Sequence, residues 1–207
     1  MYSQPFRLII FLFISNLFFA CECKQMSTGY PQMGNWVLRP VFSGVSRSEA
    51  AIFVIGDFAY LTTGYESKNG IRLKDVWQFD PTNNSWKQMA DFAGSPRSSA
   101  VSFSVGNNGY LGTGFDGNNF LKDLWEYDPV ANGWIRKADF GGTARYDAVA
   151  FGILNYGYLS CGYDSNYLKD FWKYDPAADT WKQMEPLGGL KGNPRSEAVA
   201  FVYGNKG

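Results

Sequence analysis

The chain has 207 residues, and its 19 Lys plus Arg balance 19 Asp plus Glu, which leaves no electrostatic footing for nucleic acid or an anionic membrane surface as partner. Three cysteines (Cys21, Cys23 and Cys161) make no disulfide framework, and the absence of histidine removes any Ser–His or Cys–His nucleophile pair. Aromatics at 18% and 23 glycines suit short strands joined by tight turns, and no long segment carries a helical period.

At the N-terminus, Arg7 precedes a mostly apolar run from Leu8 to Ala20. The run is too short to span a bilayer and has the length of a signal-peptide core. Residues 1–20 are therefore expected to be a signal peptide, and residues 21–34 a tether. Leu17-Phe18-Phe19-Ala20-Cys21 resembles the lipobox of bacterial lipoproteins. That resemblance implies lipidation of Cys21 and a chain anchored in the bacterial envelope or on the cell surface, its only membrane contact. The stretch departs from the motif at Phe18 and Phe19, where the family has Leu and a small residue. Plain secretion after cleavage by the general signal peptidase and an uncleaved anchor are the alternatives.

From here a repeat governs the chain. Arg47, Arg97, Arg145 and Arg195 recur at intervals of 50, 48 and 50 residues, opening RSEAAIF, RSSAVSF, RYDAVAF and RSEAVAF. A second apolar run follows each of the first three: FAYLTTGYE, NGYLGTGFD and YGYLSCGYD. A polar loop then leads to LKDVWQFDP, LKDLWEYDP and LKDFWKYDP, each closed by a tryptophan: Trp86, Trp134 and Trp181. Each unit thus predicts four short strands, a to d. Strand a starts near the Arg and strand b ends at the glycine. Strand c is Asp-x-Trp-x-aromatic, whose alternate residues share a face, and strand d begins after an Asp-Pro turn. Four-stranded units at this period read as propeller blades.

The opening Arg, the Gly ending strand b, the aromatic-Asp-Pro turn and the Trp of strand d resemble the kelch-repeat family, in its bacterial, galactose-oxidase-like form. The resemblance covers Trp36 to Gly207 and implies an all-β propeller. Kelch blades usually end strand b with Gly-Gly, whereas the first position here is Thr63, Thr113 or Cys161. A packing role is therefore expected for Cys161. Blades are expected at about 46–92, 96–140 and 144–188, with a lone strand d at 35–40 and a partial blade at 194–207. Three complete blades plus these partial strands make an open arc of a truncated propeller, with apolar blade faces left uncovered.

Loop lengths separate the two faces. The a–b and c–d turns are constant, while the b–c loop shortens from Gly64–Leu73 to Gly162–Leu168, and the d–a loop lengthens from Trp86–Arg97 to Trp181–Arg195. Both variable loops emerge on one face, where binding is expected. Glu66, Asp116 and Asp164 follow strand b there, and Glu49, Asp147 and Glu197 lie two residues after their arginines. Two roles fit: a polar ring gripping a glycan or peptide, or Arg–carboxylate pairs stitching neighbouring blades. Recurrence in every blade favours stitching. Tyr146, Asn69, Asn118, Asn119 and Tyr167 vary between blades and are better ligand candidates. The candidate binding set is therefore Glu66, Asn69, Asp116, Asn118, Asn119, Tyr146, Asp164 and Tyr167. The oxygen-rich DGNN and DSN segments lack the alternating ligands and closing Glu of a calcium loop and read as turns, so neither a metal nor a cofactor is expected.

Galactose oxidase binds copper through histidines, which this chain lacks. The expected function is a non-catalytic binding module for a protein or glycan. The alternative is a sugar-modifying enzyme of the N-acetylneuraminate epimerase type, with carboxylates as acid and base and its site completed by missing blades.

Overall fold

The computed structural model describes residues 40–186, 192–204 and 206. The expected signal peptide, Cys21 and the tether, and all but Pro40 of the expected strand at 35–40, lie outside them.

The first repeat alternates apolar and exposed positions, so its segments form strands rather than helix. They are Ala51–Ile55 (β1), Phe58–Thr62 (β2), Tyr65–Glu66 (β3), Ile71–Arg72 (β4), Val76–Asp80 (β5) and Ser85–Met89 (β6). The second repeat gives Val101–Val105 (β7), Asn108–Gly112 (β8), Leu124–Asp128 (β9) and Gly133–Lys137 (β10). The third gives Val149–Ile153 (β11), Tyr156–Ser160 (β12), Phe171–Asp175 (β13) and Thr180–Met184 (β14). Among the described residues there is no helix.

Each repeat folds into one four-stranded antiparallel sheet in sequence order: β1-β2-β5-β6, β7-β8-β9-β10 and β11-β12-β13-β14. These are the blades of an all-β propeller. The register sets the same aromatics opposite one another in every blade: Phe53 faces Tyr60, Phe103 faces Tyr110, and Phe151 faces Tyr158. The c–d turns are held by their aspartates. Asp80 Oδ1 accepts the amides of Thr82 and Asn83, and Asp128 and Asp175 do the same in their blades. The longest b–c loop pairs on itself as β3–β4, and its shorter counterparts keep single bridges, Phe115–Phe120 and Tyr163–Tyr167.

Strand β7 touches both β1 and β11 across blades, so these three form the inner wall. The core lies between sheets. Phe53 and Tyr60, 3% and 1% exposed, pack on Tyr127 and Trp134 of the next blade. Phe103 and Tyr110 pack in the same way on Tyr174. A Cβ on Gly109 or Gly157 would sit 2.2 Å from the incoming Phe53 or Phe103 ring, so these two positions admit the neighbouring blade only as glycine. Cys161 is buried at 2% exposure beside Ser160 in this framework. In the third blade, Phe151 and Tyr158 stack on Phe171 and stay half-buried, because no further sheet covers them among the described residues.

The C-terminal segment shows what a strand a lacks without its strand b. Arg195 bridges to Leu168, but residues 198–202 form no ladder, and Val199 and Phe201 are 96% and 82% exposed. Strand backbone needs a hydrogen-bonding neighbour, and no strand b of that repeat is present among the described residues.

One turn breaks its own rule. The a–b turns open at positive φ on Gly56 (57°) and Gly106 (59°), but on Leu154 (54°) in the third blade. Leucine is strained there, and its side chain is 66% exposed. Leu154→Gly is expected to stabilise the chain by about 0.5–1 kcal/mol, read as a raised denaturation midpoint. A lowered midpoint would refute the strain.

Candidate functional site

The repeated arginines were candidates for a ligand-gripping ring, or for ion pairs between blades. They do neither. Arg97, 0% exposed, forks onto Asp123 of its own blade, with Nη1–Oδ1 2.6 Å and Nη2–Oδ2 2.7 Å. Its Nη1 also donates to the Thr113 carbonyl (2.9 Å) and its Nε to Ser95 (3.1 Å). The Trp125 indole donates to the same carboxylate (2.7 Å), and the Phe92 ring lies 4.9 Å from the Arg97 Cζ. Arg47 with Asp75, Trp77 and Phe42, and Arg145 with Asp170, Trp172 and Phe140, repeat the arrangement. These arginines reach across blades through their backbone: Gly64, Gly114 and Gly162 donate to the carbonyls of Arg97, Arg145 and Arg195.

The carboxylates after strand b hold their own loops. Glu66, 6% exposed, accepts the amides of Lys68 (2.8 Å) and Asn69 (3.1 Å) and the Asn69 side chain (2.8 Å). Asp116 accepts the amides of Asn118 (2.8 Å) and Asn119 (2.7 Å). Burial acts to raise the Asp116 carboxyl, but these amides outweigh it and hold it below the usual range. Asp164 accepts the Thr143 hydroxyl (2.7 Å) and the Asn166 amide (3.1 Å), and that hydroxyl leads in lowering its pKa. Six of the eight sequence candidates therefore pair off within or between these loops, or flank a loop amide that does. Tyr146 and Tyr167 remain.

Those two belong to a surface that sequence reasoning saw only in part. Residues two after each Arg form an inner ring: Ser99 donates its amide to the Glu49 carbonyl, Asp147 to Ser99, and Glu197 to Asp147. All four hold positive φ, between 51° and 56°. They surround a cavity of about 250 Å³ that Tyr146, Phe115 and Ser98 also line. Burial, with the Asp147 charge next, pushes the Tyr146 phenol up. Outward from the cavity, rings meet in tilted and edge-to-face contacts across the loop face. Phe115 meets Phe120 (5.8 Å) and Tyr146 (6.0 Å), Phe120 meets Tyr146 (5.1 Å) and Tyr163 (6.4 Å), and Tyr163 meets Tyr167 (5.3 Å). The signal was available in two places: the aromatic after each strand-b glycine, and the changing residue just before each Leu-Lys-Asp. Among the described residues, no His, Cys, Asp and Glu cluster is suited to a metal ion.

The family described as the KLHDC2/KLHL20/DRC7 Kelch-repeats domain matches residues 42–207. The chain belongs to the kelch-repeat family. Among solved structures, one titled "Structure of YjhT" aligns at a TM-score of 0.66 and 17% identity, covering 78% of this chain and 58% of that one. The likeness at that identity is one of fold, and this kelch chain spans somewhat over half the length of that structure. No curated protein sequence matches it significantly.

In this kelch propeller the buried pair sets an acid limit on stability. Burial alone would raise the Asp75 and Asp123 carboxyls; hydrogen bonds and charge from Arg47 and Arg97, with the Trp77 and Trp125 indoles, outweigh it and hold both low. Their contribution is whole above the unfolded aspartate pKa of about 3.9 and drains away as pH falls through the lower folded value. Arg97→Met is expected to cost about 3–5 kcal/mol in chemical denaturation, by stranding Asp123. Arg97→Met with Asp123→Leu should cost clearly less than the two single changes together and should flatten the acid limb. Additive losses would contradict the pairing.

Proposed function

We propose that this chain is a non-catalytic binding module that holds a protein partner across the loop face of its propeller. One observation carries the reading: a run of rings in tilted and edge-to-face contact from Phe115 to Tyr167 borders the acid-lined cavity on the face where loop lengths vary. Large, rigid aromatic side chains bury area at low entropic cost, and they dominate the energetics of protein interfaces. The family supports a protein ligand, since the matched domain is a kelch-repeat domain.

The test is selection of displayed random peptides against the whole chain, beside a glycan array. Tyr146→Ala is expected to weaken selected peptides at least about tenfold, near 1.4 kcal/mol. Val130→Ala, in a c–d turn and 95% exposed, should leave them unchanged. Equal binding by both variants would remove the loop face from the reading. Glycan binding without peptide binding would change the ligand class. Turnover of a sugar would favour the enzymatic alternative, with Glu49, Asp147 and Glu197 around the cavity as its acids and bases.

The module is proposed to work outside the cytoplasm, tethered through Cys21. The support is the apolar run of residues 8–20 and its lipobox-like end. Metabolic labelling with a clickable fatty acid should mark the wild-type chain and not Cys21→Ala. Label on both would sink the anchor.

A further inference from the structure

Arg72 breaks the repeat at a position that belongs to the run of contacting rings. The residue before Leu-Lys-Asp is Phe120 in the second blade and Tyr167 in the third, but Arg72 in the first. Its side chain takes the seat an aromatic holds elsewhere. Phe120 reaches across to Tyr163 of the next blade at 6.4 Å, and the Arg72 Cζ reaches across to the equivalent ring, Phe115, at 4.5 Å. The Tyr65 ring lies 5.3 Å from the same Cζ. The guanidinium therefore continues the run of rings, in cation–π contact with two of them.

Contact with ring faces holds a guanidinium but satisfies none of its five N–H groups through oxygen acceptors. The arginines that open the blades give theirs to an aspartate and to carbonyls. Arg72 has no ion pair among the described residues, and its Nε is buried without a hydrogen-bond partner. The neighbouring loop also leaves room. Gly117 faces the guanidinium, and a Cβ there would lie 2.8 Å from Nη1, so a side chain at that position would crowd the fork. The result is a preorganised cation with free donors at the seam of two variable loops.

The fork geometry fits a carboxylate, which it can hold through two parallel hydrogen bonds. A phosphate would suit the fork too, but Glu49, Asp147 and Glu197 line the adjacent cavity, and a doubly charged group meets more repulsion there than a singly charged one. We propose that Arg72 is the anchor for a carboxylate of the bound protein segment, an Asp or Glu side chain whose neighbours lie along Phe120 and Tyr146. This rests on the binding-module reading given above.

Peptides selected by display against the whole chain provide the probe. They should carry an acidic residue at a fixed position. Changing that residue to its amide, or Arg72→Met, should each weaken binding at least about tenfold, and the two together should cost little more than either alone. Arg72→Lys should retain part of the affinity, because it keeps the charge and loses the fork. A thermal melt checks that each variant is folded; if Arg72→Met is not, the peptide amide change measured on wild type and on Arg72→Lys carries the test. Selected peptides without an acid, or an acid whose loss Arg72 does not feel, would overturn the proposal and leave the binding module standing. Arg72-dependent binding of acidic glycans in place of peptides would overturn the ligand assigned here. No binder of either kind would overturn both.

Discussion

A guanidinium withdrawn from water needs a counter-charge and acceptors for its remaining donors, all within a few ångströms. Each blade meets that demand internally. The aspartate that answers Arg97 lies 26 residues further on, and those for Arg47 and Arg145 lie 28 and 25 residues on. The pair therefore clasps the start of strand a to the start of strand c across strand b. It also fixes the end of strand b, because the same guanidinium binds the carbonyl of Thr63, Thr113 or Cys161. These residues hold φ of 59°, 56° and 62°, a conformation that favours glycine. The buried hydrogen bond to each carbonyl offsets part of that strain, and so a threonine or a cysteine can stand at a φ that favours glycine.

Once each blade is closed in this way, the blades need only fit one another. They do so through a ring entering a glycine-sized space, Phe53 over Gly109 and Phe103 over Gly157. The first blade carries Ala59 at that position. Glycine therefore stands in the two blades that receive a phenylalanine from the preceding blade, Phe53 in the second and Phe103 in the third.

Much of this was legible in the sequence, and the parts that were not share a cause. The period of the arginines, the fixed step from Asp to Trp and the constant a–b turn determine four strands per blade and their register. Those are relations within one repeat, along the chain. The partner of each arginine was misjudged because the nearest carboxylates in sequence, Glu49, Asp147 and Glu197, are not the nearest in space. Their positive φ and the ring of amide bonds set them on the axial cavity instead. The loop carboxylates Glu66, Asp116 and Asp164 looked free because their acceptors are consumed by backbone amides, which sequence does not display as partners. Tyr146 was found because it breaks the repeat. Phe115 and Phe120 stand out only in space, because ring contacts between blades depend on how two repeats sit side by side.

The same logic separates scaffold from recognition. A charge that recurs in every blade and is buried has its bonds made before any ligand arrives, so it has little left to offer a partner. A residue that differs between blades escapes that duty. Arg72, Phe120 and Tyr167 occupy one repeat position with three different side chains, and all three lie in the run of ring contacts beside the cavity. The invariant Leu-Lys-Asp that follows holds the aspartate in place for the buried arginine. It thereby presents the residue before it at the same height in each blade, so the most constant part of the repeat is what makes its most variable position usable for recognition.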